Sequence, residues 1–198
     1  MKIEVDRLTD ALARPTRASS DFDLNPSVAP LAGLKLRPAA VLVALWDQGG
    51  AVQVVLTKRA SHLKHHPGQI AFPGGKQEAG DSGPEAAALR EAQEEIGLAP
   101  GAVTILGRLA DHETVTGFTV TPVLAHISGD FVPRADPEEV EEIFSTPLSH
   151  LLNPEHYSIQ ARHWRGQMRR YYTVPWGPYY IWGATARILH GLADRVAQ

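Results

Sequence analysis

Residues 90–98 read Arg-Glu-Ala-Gln-Glu-Glu-Ile-Gly-Leu. On a helix, positions three and four apart share a face. Glu91, Glu94 and Glu95 are therefore expected to project together, with Leu89, Ala92 and Ile96 turned toward a packing surface. Carboxylates so placed repel one another by roughly 0.2 to 0.5 kcal/mol per pair even in water. Only Arg90, four residues before Glu94, stands at a compensating helical position; Ala87 and Ala99 occupy the equivalent places for Glu91 and Glu95. Surplus negative charge among small neighbours suits a hard cation with oxygen ligands, such as Mg²⁺. Taken alone, the same pattern also describes a solvated acidic helix face.

The surrounding residues decide between these readings. Phe72-Pro73-Gly74-Gly75 lies upstream, Gly75 fifteen positions before Arg90. Paired glycines let a backbone approach a ligand closely. Ser82 and Glu85 have the spacing of a capping box, Pro84 suits a first helical turn and Gly97 a position just past the end, which predicts a helix over 84–96. The unit is thus a glycine loop leading into a carboxylate-bearing helix.

Elements able to carry that unit can be read along the chain. Residues 3–13 suit a short helix with Val5, Leu8 and Leu12 on one side, and 15–38, rich in Pro, Ser and Asp, suit a loop or arm. The β-rich runs 39–46 and 52–57 flank Asp47-Gln48-Gly49-Gly50, a hairpin signal. Further strands are expected over 103–109 and 118–127, a short helix over 147–152, a hairpin of 157–164 with 168–174, and a last helix over 180–196. No internal repeat or linker is evident, so one mixed α/β domain is expected over 38–198, with 1–37 as an N-terminal helix and arm packed on it.

Composition excludes several classes. The 198 residues are 43% hydrophobic and 21% charged, ordinary for a soluble globular domain. No apolar run approaches the roughly 18 to 20 residues of a membrane span. The first 17 residues do not read as a secretory signal and the last three are not a peroxisomal address. Cytoplasm is the expected location. Without cysteine there is no disulfide, thiolate metal site or cysteine nucleophile. A net charge of −3 argues against a nucleic-acid binder, and no membrane partner is expected.

The loop-helix unit resembles the Nudix box: Gly75, Asp81, Arg90, Glu91, Glu94, Glu95 and Gly97 fall on its pattern. Asp81 stands where glutamate is usual and one additional residue separates it from Arg90; Ala92 is small for the apolar position. The preceding segment is similar to that of the coenzyme A pyrophosphatase branch: Leu56-Thr57-Lys58-Arg59, then Leu63-Lys64-His65-His66-Pro67-Gly68-Gln69 and Phe72-Pro73-Gly74-Gly75. That branch also carries a loop of this kind before the helix. Lys64 replaces its usual arginine, keeping charge but losing the fork. Thr121-Pro122-Val123, residues 139–144, Pro147-Leu148 and residues 181–186 extend the likeness over roughly 38–192.

The resemblance implies an α/β/α sandwich around a mixed sheet. It also implies Mg²⁺- or Mn²⁺-dependent hydrolysis of coenzyme A, or its acyl or oxidised forms, to 3′,5′-ADP and 4′-phosphopantetheine. Glu91 and Glu95 are then the principal metal ligands, Glu94 a third (direct or through water) and the Gly75 carbonyl a fourth. Arg90 orients the carboxylates. Glu139, then Glu142, are the candidate general bases; the same acidic stretch, 130–142, also reads as a solvated loop. Arg59 and Lys64, with Gly74 and Gly75, are expected at the substrate phosphates, or the two cations are ordinary surface charges. His62, His65 and His66 are at most loop or phosphate-contact residues. Trp164, Tyr171, Tyr172, Trp176 and Trp182 are expected in the core or at a dimer contact rather than against adenine. The partner is a small molecule and the chain a monomer or homodimer. The alternatives are a Nudix hydrolase for ADP-ribose, a dinucleotide or a nucleoside triphosphate, and a non-catalytic nucleotide sensor.

Overall fold

A computed structural model describes residues 2–26, 28, 33, 35–164 and 166–198, with the backbone alone for 2–5. The expected arm over 15–38 therefore lies partly outside the described residues, as does Arg165 of the expected late hairpin.

Hydrophobic alternation builds a central sheet with two apolar faces. Strand β2 (Arg37–Gln48) turns through Gly49 and Gly50, both at positive φ, into β3 (Ala51–Arg59), pairing Gln48 with Ala51. Two consecutive left-handed residues match the twist of a two-residue hairpin, which is why glycine suits both positions. Ala40, Leu42 and Ala44 of β2 point to one face; Ala39, Val43 and Leu45 point to the other. Strand β8 (Phe118–Ile127) runs parallel beside β2 from Arg37↔Phe118 to Leu45↔His126. β6 (Val103–Arg108) and the short β7 (His112–Glu113) lie antiparallel to β8, while β9 (Val140–Pro147) lies antiparallel to β3. The sheet is mixed, as expected.

Helix α2 (Pro84–Ile96) covers one face with Ala87, Ala88, Ala92 and Ile96. The other face is covered by α3 (Leu148–Leu151), through Leu148 and Leu151, and by α4 (Ala184–Ala197), through Ile188, Leu189 and Leu192. Leu8 of α1 (Lys2–Leu12) joins the same cluster. The three layers make the expected α/β/α sandwich. A separate antiparallel ribbon joins β10 (Ser158–Trp164) to β11 (Gln167–Thr173).

The N-terminal segment is tied down by buried polar groups. β1 (Ser19–Ser20) pairs parallel with β7, and the fully buried His112 ring meets Ser19 Oγ at 2.9 Å and Asp21 Oδ1 at 3.2 Å. Leu12 fits over Gly107, where a Cβ would stand 2.9 Å from its Cδ1.

Two expected boundaries are corrected. The last helix begins at Ala184 rather than at 180: Trp176↔Tyr179 and Thr173↔Trp182 bridges hold the preceding residues extended, and Gly183 at φ 67° makes the turn into the helix. The expected capping box at α2 does not form. Gly83 is the N-cap without a side-chain bond, and Glu85 instead meets Arg108 at 2.5 and 2.7 Å. A two-pronged ion pair draws that carboxylate away from the helix end. Pro84 and Gly97 hold the positions expected of them, Gly97 at φ 72° accepting no Cβ strain.

Candidate active site

The sequence between β3 and α2 is a backbone structure wrapped around two glutamates. β4 (Ile70–Ala71) pairs with Thr57 and Lys58 of β3, and β5 (Gly74–Lys76) pairs with Ala39–Val41 of β2. β5 consequently passes directly across α2. Gly74 N donates to Glu95 Oε2 at 3.1 Å. A Cβ on Gly75 would lie 2.5 Å from Glu91 Cδ, so this glycine leaves space that the carboxylate occupies. Gly74 has a different reason for lacking a side chain: its φ is 151° and a Cβ would meet Ala40 O at 2.4 Å.

The three glutamates do not share one environment, which corrects the expectation of a common face. At 3.6 residues per turn, Glu95 lies roughly 40° around the helix from Glu91, and Glu94 roughly 60° the other way. The buried stripe runs through Ala88, Ala92 and Glu95, so Glu95 is only 4% exposed. The Glu94 side chain stays 58% exposed. Glu95 falls three after Ala92 and seven after Ala88, a spacing the sequence itself shows.

Arg90 gathers the acidic groups. Its Nε and Nη2 donate to the two carboxylate oxygens of Asp81, both at 3.1 Å, and Nη1 donates to Glu91 at 2.9 Å and Glu94 at 3.0 Å. Nη2 also reaches the Lys76 carbonyl at 3.1 Å. Asp81 further accepts from Glu78 N at 2.8 Å, closing the irregular loop that precedes the helix. The Arg90 guanidinium holds the Asp81 carboxyl below the usual carboxylate range. The residue pattern named Asp81 and Arg90, but not their bidentate pairing.

The acidic stretch after β8 is not a free loop. Asp136 N donates to Glu95 O at 3.0 Å and Arg134 N to Ile96 O at 3.0 Å, satisfying carbonyls at the end of α2. Ala60 N donates to Glu139 O at 2.9 Å. These bonds bring Glu139, exposed, close enough for its charge to act on both Glu91 and Glu95. The charge of Arg59, at the end of β3, acts on Glu95 with the opposite sign; its backbone bonds to Gln69 and Gly68, and its guanidinium makes no hydrogen bond or ion pair among the described residues.

Glu142 goes elsewhere. Strand alternation turns it with Phe144 to the other side of β9, where it accepts from Tyr179 Oη at 2.5 Å. Lys64 is exposed on the 60–69 loop, and among the described residues its side chain makes no hydrogen bond or ion pair with these groups. His62 meets the Glu138 carbonyl at 3.1 Å, and His66 holds a left-handed backbone at φ 55°.

The chemistry of the donor set fits a divalent cation. Burial first, helped by the charges of Glu91 and Glu139 and opposed by the Gly74 N–H, pushes the Glu95 carboxyl up to about 8. Burial also raises Glu91, against the pull of Arg90. Two desolvated carboxylates side by side are unfavourable as anions until a cation joins them, and a hard ion reverses that balance. Among the described residues no three His, Asp or Glu side chains form a closed metal cage. Beyond two glutamates, oxygen ligands must then come from backbone, water or a diphosphate, which is how Mg²⁺ is usually held. The residues best placed to hold it are Glu91 and Glu95.

Comparison with known proteins places the chain in a family. Residues 35–166 match the NUDIX domain model. A relative from Enterobacter sp. (strain 638), named "Uncharacterized Nudix hydrolase NudL", is 44% identical over 165 residues, covering 82% of this chain and 84% of that relative. A protein of the same name from Salmonella paratyphi B is 42% identical with the same coverage. Among solved structures, a Nudix hydrolase from M. smegmatis, RenU, is similar at TM-score 0.49 and 27% identity, over 58% of this chain and 72% of that one. A C. elegans Ap4A hydrolase complex is similar at 0.49 and 21%, over 58% and 82%. No described helix is long and apolar enough to cross a membrane. On the domain match and the identity to these relatives, the chain belongs to the Nudix hydrolases.

Proposed function

We propose that the chain hydrolyses the pyrophosphate bond of coenzyme A, giving 3′,5′-ADP and 4′-phosphopantetheine, with residues 38–198 as the hydrolase domain and 1–37 as a packed N-terminal helix and arm. The observation that carries this reading is the joint placement of two parts of the segment before the box. Arg59 lies near enough to Glu95 for its charge to oppose the rise of that carboxyl, and Gly74-Gly75 lies against the Glu91–Glu95 pair. The same segment carries the resemblance to coenzyme A pyrophosphatases.

When bound, Mg²⁺ or Mn²⁺ lowers the charge on the diphosphate and makes a coordinated water more acidic. The chain's own residues do the rest. Glu91 and Glu95 hold the ion; the Gly74 N–H fixes one oxygen of Glu95, and Arg90 fixes one oxygen of Glu91. Glu94, largely in solvent, contributes through water. Arg59 offers an unpaired guanidinium to the diphosphate oxygens, with Lys64 available from the exposed loop. Glu139, exposed and beside the pair, accepts the proton of the attacking water on a carboxylate oxygen. The water oxygen bonds to phosphorus as the bridging oxygen departs on the other phosphate.

The test is a product-resolved assay on coenzyme A, ADP-ribose and deoxynucleoside triphosphates with Mg²⁺ or Mn²⁺. Formation of 3′,5′-ADP is expected. Negligible turnover of coenzyme A and its thioesters would refute the assignment.

A further inference from the structure

A cleft of ≈ 350 Å³ opens on the side of the sheet away from α2. Its lining includes Lys58 and Ile70 of the sheet strands, Gly68, Glu142 of β9, and the aromatic residues Tyr179, Tyr180 and Trp182. This volume is in the range of small-ligand sites. Its aromatic wall is held rigidly. Tyr179 stacks on Phe144 with centroids 3.5 Å apart and planes 8° from parallel, while its hydroxyl is fixed by Glu142. Tyr180 leaves 45% of its surface in solvent, although it is a large aromatic residue, and its hydroxyl lies 3.4 Å from that of Tyr171.

A cation stands beside the cleft, on its lining residue Trp182. The Arg162 guanidinium sits 4.1 Å above the Trp182 ring and has no carboxylate partner among the described residues. Opposite it in the ribbon is Arg169, another cation, so no neighbour across the strands neutralises it. His66, two residues before Gly68, lies near enough to Arg162 and Arg59 for both charges to act on it. The 60–69 loop therefore joins the cleft to the candidate active site. The connection is short: Ile70 in the cleft wall and Gly74 against Glu95 are four residues apart, at most about 14 Å.

Resting on the coenzyme A reading, we propose that this cleft seats an adenine base and the phosphate monoester that is not hydrolysed. The base lies against Tyr180 and Tyr179, and the monoester, the 3′-phosphate of coenzyme A, meets Arg162 beside Trp182. An aromatic wall accepts a base by its π-face. An Arg held over an indole, without a carboxylate partner, has guanidinium N–H groups to offer phosphate oxygens. Glu142 is placed to accept from an exocyclic amino group, which adenine supplies. This assigns substrate selection to Tyr179, Tyr180, Trp182 and Arg162, residues distant in sequence from the carboxylate helix. Tyr179, Tyr180 and Arg162 carried no such role in the sequence, and Trp182 was expected in the core or at a dimer contact.

The experiment compares the full-length wild type with Arg162→Ala and Tyr180→Ala, both exposed positions. Calorimetric titration with adenosine 3′,5′-bisphosphate and with 5′-AMP measures binding without hydrolysis; kcat/KM on coenzyme A and on dephospho-coenzyme A measures selection. Wild type is expected to prefer the bisphosphate. Arg162→Ala should reduce that preference, and the coenzyme A to dephospho-coenzyme A ratio of kcat/KM, by about ten-fold. Tyr180→Ala should weaken both nucleotides about ten-fold, through KM more than kcat.

Bisphosphate binding by both variants equal to wild type, or no binding by wild type, overturns the cleft assignment and leaves the reaction untouched. The converse result, binding that depends on Arg162 and Tyr180 with no turnover of coenzyme A, overturns the proposed reaction and supports the cleft.

Discussion

Gly74 and Gly75 are adjacent and identical in type, yet their replacement by alanine should fail in opposite ways. In Gly75→Ala the new Cβ would begin 2.5 Å from Glu91 Cδ and 2.6 Å from both carboxylate oxygens. Restoring an ordinary contact of 3.4 Å displaces the carboxylate by about 0.9 Å. The atoms that move are the end of a flexible side chain, so the cost in stability is an off-rotamer glutamate, about 1 kcal/mol. The cost in rate is larger. A misplacement of about 1 Å near reacting groups is worth on the order of 100-fold. In Gly74→Ala the Cβ meets backbone, Ala40 O at 2.4 Å and Val41 Cα at 2.6 Å, at φ 151°. Neither can yield without separating β5 from β2, and strain with overpacking amounts to about 3 kcal/mol or more. Urea unfolding of the metal-free variants and kcat/KM over a Mg²⁺ titration separate the two effects. Gly75→Ala should unfold close to wild type, lose about two orders of magnitude in rate and need more Mg²⁺ for half-maximal activity. Gly74→Ala should lose stability first. Wild-type rates in Gly75→Ala, or equal destabilisation by both changes, would refute the argument that Gly75 exists to make room for Glu91.

Glu95 gives a pH signature in the metal-free protein. Its carboxyl is raised from 4.5 to about 8, so the folded chain keeps a proton that the unfolded chain has released. The stability it supports is complete below about 4.5 and is lost as pH rises toward 8, at about 1.4 kcal/mol per unit. Glu95→Gln removes that slope. In EDTA its stability relative to wild type should rise by about 3 to 4 kcal/mol between pH 5 and 8, while hydrolysis is lost; parallel pH profiles would show that Glu95 is not held as described. Arg90→Lys keeps the charge and loses the fork that holds Asp81, Glu91 and Glu94. It should destabilise by about 2 kcal/mol and lower kcat by about ten-fold or more. A Lys variant with wild-type melting and kcat would remove the clamp from the account.

Much of this protein is local and was therefore legible. The period of two in 39–46 and 52–57, with Gly49-Gly50 between, specifies a hairpin whatever it packs on. Pro84 and Gly97 bracket α2 because their backbone preferences are intrinsic. The acidic residues of the helix and the cations before it carry their chemistry in their side-chain types. Where local preference competed with a distant partner, the distant partner won: Arg108 took Glu85 from the helix cap, and bridges to 173 and 176 kept residues 179–182 out of the last helix.

By itself, the sequence determined the composition of the site: an Arg and three carboxylates at helical spacing, a Gly-Gly loop before them, and Arg59 in the segment before that. Only the tertiary structure decided how those groups divide. It buried Glu95 beneath the Gly74 amide, left Glu94 in water, drew Glu139 to the pair and sent Glu142 to Tyr179. The physical reason is that a carboxylate's pKa and its ability to share a cation depend on desolvation and on charges within a few ångströms. Those distances are set by which face each strand and helix turns inward, a choice made by the whole packed core rather than by neighbours along the chain.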